Sequence, residues 1–522
     1  MPSHRHTHDS ARDATDEIEL KLQLPDGAIE ALLLAPLLTD CQPRTTRLDA
    51  TYFDTADRLL QRHGMALRLR RSGRQWLQTL KAAGTARGGL SARLEWEFPA
   101  KLIRGAPRIN LGLLKHSPLP ALLAKHGTSG PLHPVFRVRV TRTLWDVSFK
   151  RSRFEVAMDR GQIESLRTGR RVVEAVAELE LELKEGRAGD LLSAALRLVG
   201  TGKSSLALVP ILESKAARGY RLVTGEPRSP TKAAARGFVD ALKPDMSVGL
   251  ALRAIIAHGL DVLLANTHGL RDAHDPEYVH QARVALRRMR SAIRLLDRSH
   301  ADFPAALAKD LRWVGRLLGD ARDWDVLAGE TLPAFATAAK PELGAQARRL
   351  LDHACDKRDA ARAGATAALA TPRYARLALR LQSWTLTPAP AARTLARLAA
   401  EVLGKAHSRL FSAAQFFAAL TPERRHRVRI LAKRLRYGLD VFSVALPPKP
   451  TERYIAALSG LQDVLGELND AVVARSVLSE ITDSEEVHSA ATRWASAREQ
   501  DRVREAEVRL LALLEAGRPW KD

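Results

Sequence analysis

Acidic and basic side chains alternate with aliphatic ones near the start of the chain. In the run EIELKLQL, Glu17, Glu19 and Lys21 occupy every second position, and aliphatic residues fill the positions between them. Because successive side chains of a β-strand point to opposite faces, the three charged groups share one face. Two carboxylates on one face offer the oxygen ligands that a divalent cation prefers, and a lysine beside them can neutralise a phosphate oxygen.

Several later stretches show the same alternation. The charged positions that share a face within a stretch are Arg68 and Arg70, Lys81, Arg137 and Arg139, and Glu180, Glu182 and Lys184. A sheet with one face on a core and the other in water explains any one of these stretches taken alone. Acids nonetheless cluster on some stretches and bases on others. If such a sheet closes with its charged faces inward, the interior becomes a site for a metal-bound polyphosphate.

The elements that must position these residues differ between the two halves of the chain. Up to about residue 222 the hydrophobic pattern has a period of two, which predicts strands. After the Pro- and Gly-containing stretch GEPRSPTKAAARG, the chain becomes rich in Ala, Leu and Arg with a period of 3.6, which predicts helices. We therefore predict an α+β multidomain chain with a disordered tail at 1–15, a strand-rich domain at 16–222, a linker at 223–239 and an all-α helical bundle at 240–515.

The helical half contains an internal duplication. The segment HQARVALRRMRSAIRLL aligns with HRVRILAKRLRYGLDVF, which lies 146 residues later. At about 100° per residue, the cationic positions of each copy fall on one side of a helix and the apolar positions on the other. The cationic positions are His280, Arg283, Arg287, Arg290 and Arg294 in the first copy and His426, Arg429, Lys433 and Arg436 in the second. Two such copies, in repeats at about 245–390 and 391–515, predict that the stripes converge on one basic channel or pocket.

The two copies differ at positions that carry charge. Arg294 corresponds to Asp440. In a second pair of similar segments, LLGDARDWDV and VLGELNDAVV, Arg322 corresponds to Asn469 at an offset of 147 residues. The two repeats therefore need not contribute equally to a binding site.

Composition narrows the classes of partner. The length of 522 residues predicts two or three domains. The net charge of +23 predicts a polyanionic partner. Two cysteines exclude a disulfide framework, and the polar N-terminus lacks the apolar core of a signal peptide, so we expect a cytoplasmic protein. The apolar stretch VGLALRAIIAHGLDVLLA is interrupted by Arg253, His258 and Asp261, so we predict no association with a membrane. Aromatic residues make up 5% of the chain without a stacking platform between the basic stripes, which disfavours nucleic acid.

The first half resembles the CYTH superfamily, the triphosphate tunnel metalloenzymes. EIELKLQL is similar to the ExExK signature of that family, and YFDTADRLLQRHGMALRLRR, WLQTLK, RLEWEF, FRVRVTR, VAMDRG, AELELELK and SKAARGY follow in the family's order. The resemblance implies an antiparallel tunnel of eight strands with flanking helices that acts on a triphosphate chain with Mg2+ or Mn2+. It implies that the metal ligands are Glu17, Glu19, Glu180 and Glu182. It implies that the phosphate-binding residues are Lys21, Arg68, Arg70, Lys81, Arg137, Arg139, Lys184, Lys215 and Arg218.

The second half resembles the CHAD domain, the conserved histidine α-helical domain, across about residues 240–515. His280 and His426, each followed by Arg and Lys at helical spacing, carry the resemblance. The family implies binding of inorganic polyphosphate in a basic groove, and with it an association with polyphosphate granules. Histidine among so many cations is better suited to contact phosphate than to bind a metal ion, since the neighbours repel a metal.

Together the two halves predict a metal-dependent hydrolase of inorganic triphosphate or short polyphosphate with an attached domain that binds longer polyphosphate. Glu17, Glu19 and Lys21 are the residues expected to be central to catalysis. Two alternatives stay open: a non-catalytic polyphosphate-binding or targeting protein, and an enzyme of the same family that acts on ATP or thiamine triphosphate. The metal preference, any general base, the oligomeric state and the coupling between the domains are not determined by these residues.

Overall fold

The computed structural model describes residues 15–82, 84–103, 105–126, 131–166, 172–202, 205–233, 241–272, 275–296, 302–338, 344–389, 393–481 and 485–520. The chain divides into two compact units, one formed by residues 1–229 and 370–383 and the other by residues 230–369 and 384–522. Residues 370–383 belong to the first unit, although the sequence pattern places them in the first helical repeat. The predicted tail falls outside the described residues except for Thr15, which begins the first strand.

Alternating residues of the first unit form an antiparallel sheet. Its strands are β1 (Thr15–Gln23), β2 (Arg44–Asp54), β3 (Ala66–Ser72), β4 (Gln75–Lys81), β5 (Thr85–Arg87), β6 (Leu90–Pro99), β9 (His133–Phe149), β10 (Ser152–Ser165) and β11 (Val173–Glu185). A separate short hairpin joins β7 (Leu102–Ile103) to β8 (Ala106–Pro107).

The sheet closes on itself. The strand order is β1-β11-β10-β9-β2-β3-β4-β6, and β6 pairs back onto β1, so the predicted eight-stranded antiparallel tunnel is confirmed; β5 adds only a short pairing to β6. Closure pairs Glu19 with Glu182 on one side and Glu17 with Arg93 on the other. The two residues of each pair share a face. That face is the inner one, because all four residues line the cavity of the barrel.

Five helices accompany the barrel in the N-terminal part of this unit: α1 (Ile29–Leu33), α2 (Leu59–Arg62), α3 (Leu119–Lys125), α4 (Ala188–Val199) and α5 (Lys215–Thr224). Helix α5 packs onto the inner face of β9 and β10 at one end of the barrel. Its Tyr220 ring meets Phe136 edge to face, with the ring centroids 5.1 Å apart, within an apolar cluster that includes Val138 and Val140. At this end the inner face of the barrel is therefore apolar, while charged residues line the remainder.

A buried carboxylate anchors α5 to the barrel. The side chain of Asp54, which has no exposed surface, accepts hydrogen bonds from the Tyr220 hydroxyl at 2.8 Å and from the Leu60 and Gln61 amides at 2.9 and 3.0 Å. The same residue thus connects β2, α2 and α5.

Replacing Tyr220 by Phe should lower the free energy of unfolding of the first unit by about 1–2 kcal/mol, because a buried carboxylate loses one donor while ring packing is retained. Calorimetric unfolding of the full chain measures this effect as a lower temperature for one of its transitions. Tyr437→Phe, in the second unit, is the matched control and should leave that transition in place. An unchanged transition in Tyr220→Phe would show that the hydrogen bond does not stabilise the barrel.

The remaining helices are α6 (Val248–Asp272), α7 (Pro276–Leu296), α8 (Ala305–Val326), α9 (Leu332–Ala338), α10 (Gly344–Leu369), α11 (Pro372–Thr385), α12 (Leu395–Ala414), α13 (Pro422–Phe442), α14 (Pro448–Ile481) and α15 (Glu485–Glu515). The two similar segments form α7 and α13. Their apolar positions are buried, among them Ala285 and Met289 in α7 and Ala432 and Leu435 in α13.

One helix among the described residues, Val248–Leu270, is long and apolar enough to cross a membrane when judged by length and composition alone. Its most apolar window is 72% buried within the structure, and a buried core helix passes the same test. The cation in this helix has a local partner: the Arg253 guanidinium lies 4.5 Å from the Trp384 ring centroid and donates to the Thr387 carbonyl at 2.9 Å.

Candidate functional site

The barrel encloses a cavity of about 410 Å³. Ten of the residues predicted for the tunnel line it: Glu17, Glu19, Lys21, Arg68, Arg70, Lys81, Glu180, Glu182, Lys184 and Lys215. The structure thus brings together side chains from four strands and one helix that are up to 198 residues apart in sequence. Their chemical roles stay predictions.

The carboxylates of β1 each meet a lysine. Both oxygens of Glu17 accept from the Lys81 ammonium at 2.5 Å, and Glu19 accepts from Lys21 and from the Ser91 hydroxyl at 3.1 Å. Burial raises the pKa of Glu17 despite Lys81, and the neighbouring Glu19 charge adds to the rise. Burial also acts on Glu19, but Lys21 and Lys81 together lower the pKa of that carboxyl.

A second acidic group lies on β10 and β11. Single carboxylate oxygens of Asp159, Glu178 and Glu180 come within 4.8 Å of one another. The Lys215 ammonium lies among them, 2.7 Å from Asp159 and 2.9 Å from Glu180, and Arg142 donates to the same two carboxylates at 2.6 Å each. Although burial opposes ionisation, Lys215 and Arg142 hold the pKa of Glu180 well below its usual range.

The opposite wall carries guanidinium groups. Arg70 pairs with Glu97 at 3.0 Å, and Arg68 lies 3.8 Å from Glu95. Within the described part of the chain, the buried Nε atoms of both arginines have no hydrogen-bond partner. Buried N–H groups without an acceptor are uncommon and costly, so these two donors suit an anionic ligand in the cavity.

Two predicted phosphate contacts are wrong because of the face on which they lie. Arg137 and Arg139 alternate with Val138 and Val140, whose side chains face inward against α5. The arginines therefore point outward, where Arg137 pairs with Asp49 at 2.5 Å and Arg139 pairs with Glu164. The prediction took the charged face of this strand to be the inner one, whereas α5 makes the inner face apolar at this end.

Arg218 is also outside the cavity wall, although it is buried. Its guanidinium donates to Glu174 at 2.7 Å and to Glu178 at 3.2 Å, which neutralises the cation within the end of the barrel that α5 fills. The prediction that it contacts phosphate is therefore not supported by its placement.

Sequence reasoning missed Arg142 and Asp159, two charged residues that line the cavity. Arg142 lies on the inward parity of β9, two residues beyond Val140, and faces Asp159 across the pair of strands. The available signal was the final Arg of FRVRVTR, which is out of phase with the two arginines before it. When α5 is not taken into account, the pattern of β9 predicts that the face with more charged residues is the inner one.

The cavity wall suits a divalent cation. Of its described lining residues, eight are acids and eight are bases, so the wall alone has no excess of positive charge for a polyanion. Burial raises the pKa of Glu182, and the charge of Glu17 raises it further. Hard carboxylate oxygens are the ligands that Mg2+ and Mn2+ prefer. The residues that would hold such an ion are Glu17, Glu19, Glu180 and Glu182. Each of them pairs with a lysine of the same wall, so an ion would share or displace these lysine contacts.

The second unit brings the two cationic stripes together. Helices α7 and α13 pack on each other, and the Arg287 guanidinium lies 5.7 Å from the ring centroid of Tyr437. All nine predicted cationic residues are on these helices. Burial, together with the charges of Arg429, Arg287 and Arg283, lowers the pKa of Lys433 to about 7.

Two glycines of α8 let arginines of the first stripe lie close to that helix. A Cβ atom on Gly315 would be 2.7 Å from Arg290 Nη1, and one on Gly319 would be 2.6 Å from Arg283 Nη1. Burial and the nearby Arg294 lower the pKa of Arg290. The spacing of four residues places both glycines on one face of α8, which is a signal that sequence analysis did not use.

The differences between the repeats have visible consequences. Asp440 pairs with Arg436 in the second copy, whereas Arg294 adds a cation beside Arg290 at the corresponding place in the first copy. His426 Nδ1 lies 2.7 Å from Asn469 Oδ1. The first repeat is therefore the more strongly cationic of the two.

Both halves match known families. Residues 15–204 match the model of the CYTH domain, and residues 254–479 match that of the CHAD domain. An inorganic triphosphatase of Haemophilus influenzae is 33% identical over 207 residues, which are 40% of this chain and 54% of that protein. The chain thus spans about half the length of this curated relative.

Two solved structures are also similar. The CHAD domain from the plant Ricinus communis is 32% identical, with 56% of this chain and 99% of that chain covered and a TM-score of 0.47. A Hippeastrum protein described as a putative adenylyl cyclase with a dominant triphosphatase activity is 22% identical, with 40% and 97% covered and a TM-score of 0.27. On the family matches and the closed eight-stranded barrel, the chain carries a CYTH domain followed by a CHAD domain.

Proposed function

We propose that the tunnel hydrolyses inorganic triphosphate or short polyphosphate with Mg2+ or Mn2+, and that the helical domain binds longer polyphosphate. The observation that carries the first part is the closed cavity, whose wall combines carboxylates of β1 and β11 with arginines of β3 and β9. The relative from Haemophilus influenzae, which is named an inorganic triphosphatase, supports the same substrate.

The arginines, lysines and glutamates of the tunnel have different roles in binding the substrate. Arg68, Arg70 and Arg142 present planar groups of donors, which can hold phosphate oxygens in a fixed orientation. Lys21 and Lys81 are mobile point charges that can shift from their glutamates to the substrate. A divalent ion on the glutamates would supply the missing positive charge and polarise a phosphoryl oxygen. Glu17, Glu19 and Lys21 are buried in the barrel, so their charges act more strongly than they would in solution.

The cavity wall favours an inorganic substrate over a nucleotide. Tyr52 is the one aromatic residue among those that the structure places in the wall, and its ring is stacked on Phe136 with the centroids 4.5 Å apart. That ring is already covered on one face by the barrel's own core. The wall is otherwise charged or small and aliphatic, so it offers phosphate contacts but little surface for a base.

A substrate panel tests the proposal. Phosphate release is measured with the purified chain and triphosphate, longer polyphosphate, ATP or thiamine triphosphate, each with Mg2+ and with Mn2+. We expect kcat/KM for triphosphate to exceed that for ATP and thiamine triphosphate at least about tenfold, and a chelator to abolish release. Polyphosphate binding without release from any substrate would support the non-catalytic alternative instead.

The basic stripes of the helical domain support polyphosphate binding. Arg287 and Arg429 have buried Nε atoms without a hydrogen-bond partner within the described residues, and the charges of the two side chains act on each other. Cations this close repel each other, which makes the charged form of each group less stable. A polyanion bound along the stripes relieves that repulsion.

Polyphosphate affinity should fall as the pH rises above 7. Lys433, with a pKa of about 7, faces Arg429 on its own helix, Arg283 and Arg287 on α7, and Asp470 on α14. A bound polyanion raises this lowered pKa, so binding takes up a proton and is strongest below pH 7. We expect a loss of up to about tenfold per pH unit between pH 7 and 9, measured by titration at constant ionic strength.

A variant distinguishes the deprotonation of Lys433 from the titration of the phosphate groups as the cause of the pH dependence. Lys433→Arg keeps the charge at all these pH values, so its affinity should vary at least about fivefold less between pH 7 and 9 than that of the wild type. Lys405→Arg, at an exposed lysine that pairs with Glu401 on α12, is the matched control and should keep the wild-type profile. Identical profiles for Lys433→Arg and the wild type would contradict the assignment.

A further inference from the structure

A second cavity lies in the helical unit, beside the histidine of the second stripe. It has a volume of about 330 Å³ and is formed by the start of α13, the middle of α14 and α15. Its apolar wall includes Leu465, Leu468 and Val472, and His426 and Arg429 stand at its edge. The volume is at the lower end of the range for sites that bind small molecules.

The polar groups of this cavity are arranged around the apolar wall. His426 Nδ1 and Asn469 Oδ1 are 2.7 Å apart, and Asn469 Nδ2 donates one N–H to Asp470 at 3.4 Å. The other ring nitrogen of His426 and the second N–H of the Asn469 amide are left for further contacts. Glu499 pairs with Arg425 at 2.9 Å and with Arg475 at 3.0 Å, so these three charged side chains already form ion pairs with one another. The buried Nε of Arg429 has no hydrogen-bond partner within the described part of the chain. A cation with an open donor therefore borders an apolar wall.

The internal duplication shows that this wall is particular to the second repeat. At the offset of 147 residues, Val472 replaces Asp325, and Leu468 replaces an alanine. In the first repeat Asp325 is buried and accepts from Arg362 at 2.8 Å. The second repeat thus has apolar side chains where the first has an ion pair, while Arg429 retains the cation that corresponds to Arg283.

Polyphosphate makes no use of such a wall. Its surface consists of oxyanions, and burying charge against leucine and valine without a partner is unfavourable. The neighbouring stripe meets the needs of an inorganic polyanion without this cavity. A ligand that uses both features has a phosphate group joined to a flat, largely apolar body with hydrogen-bonding edges.

We propose that this cavity binds the nucleoside part of a nucleoside phosphate, with the base against Leu468 and Val472, its edge at Asn469, and the phosphate at Arg429 and His426. The helical domain would then recognise a nucleotide as well as a polyphosphate chain. This site lies in the unit that does not contain the tunnel, so it is independent of the proposed hydrolysis.

Calorimetric titration of the full chain with ADP and with inorganic pyrophosphate tests the proposal, because pyrophosphate carries two phosphates but no nucleoside. We expect ADP to bind at least about tenfold more tightly, as burial of a base against an apolar wall adds to the phosphate contacts. Equal affinities would overturn the proposal.

Two variants locate the site. Leu468→Trp fills the cavity, and Asn469→Arg combined with Val472→Asp restores the residues of the first repeat. Each should lower ADP affinity at least about tenfold while triphosphate hydrolysis stays within about twofold of the wild type. Val508→Asp, at a position of α15 that is 64% exposed, is the control and should bind ADP like the wild type. Unchanged ADP affinity in either folded variant would place the nucleotide elsewhere.

Discussion

Replacing Glu17 and Glu19 together by glutamine should lower phosphate release from triphosphate at least about 10³-fold. The two carboxylates lie on the inner face of β1 and are candidate metal ligands, and they also hold Lys81 and Lys21 in place. Glutamine keeps the size of the side chain but removes the negative charge, so the cavity loses affinity for a divalent ion. The measurement is kcat/KM for triphosphate with Mg2+ and with Mn2+.

Glu164→Gln is the matched control for this variant. Glu164 lies on β10 and pairs with Arg139 on the outside of the barrel, so its replacement should leave release within about twofold of the wild type. Polyphosphate binding by the helical domain should persist in both variants and shows that the chain is folded. Substantial release by the Glu17 and Glu19 variant would remove the metal-binding role of β1 and the central argument for hydrolysis in the tunnel.

The second large effect concerns two arginines of the same strand. Arg142→Gln should lower kcat/KM for triphosphate at least about 100-fold, whereas Arg139→Gln should leave it within about twofold. Arg142 faces the cavity between Asp159 and Glu180, and Arg139 lies three residues away on the outer face. The two changes are chemically the same, so the comparison isolates the direction in which the side chain points.

The Arg142 variant removes a partner from two buried carboxylates, so its stability must be measured beside its activity. Arg142→Lys separates the two effects, because lysine keeps the charge near Asp159 and Glu180 but lacks the planar pair of donors. We expect it to unfold close to the wild-type temperature and to retain a kcat/KM at least about tenfold below the wild type. Equal kcat/KM values for Arg142→Gln and Arg139→Gln would mean that the inner face of β9 does not bind substrate.

The lining of the tunnel was predictable because alternate residues of a strand lie on opposite faces of the sheet. Glu17, Glu19 and Lys21 share a face in any strand, and the same holds for Arg68 and Arg70, so their grouping needed no coordinates. In the helical half, the periodicity of 3.6 placed the cationic residues of each copy on one side of a helix in the same way.

The missing part of the site was not predictable from periodicity. On β9 the pattern is compatible with either face inward, and the face with Arg137 and Arg139 has more charge. The choice is made by α5, which buries Val138 and Val140 against Tyr220 and so turns the two arginines outward. Arg142 reaches the cavity because it keeps the phase of the valines but lies beyond the end of that helix contact.

By itself the sequence determined the α+β division of the chain, the faces of its strands and helices and the duplication of its helical half, because all of these depend on spacing along the chain. Only the tertiary structure decided which face of each strand is inside the barrel, and it did so through a helix that packs against one end. It also decided that Lys215 lies among Asp159, Glu178 and Glu180, because closure of the barrel brings distant strands within a few ångströms of that helix.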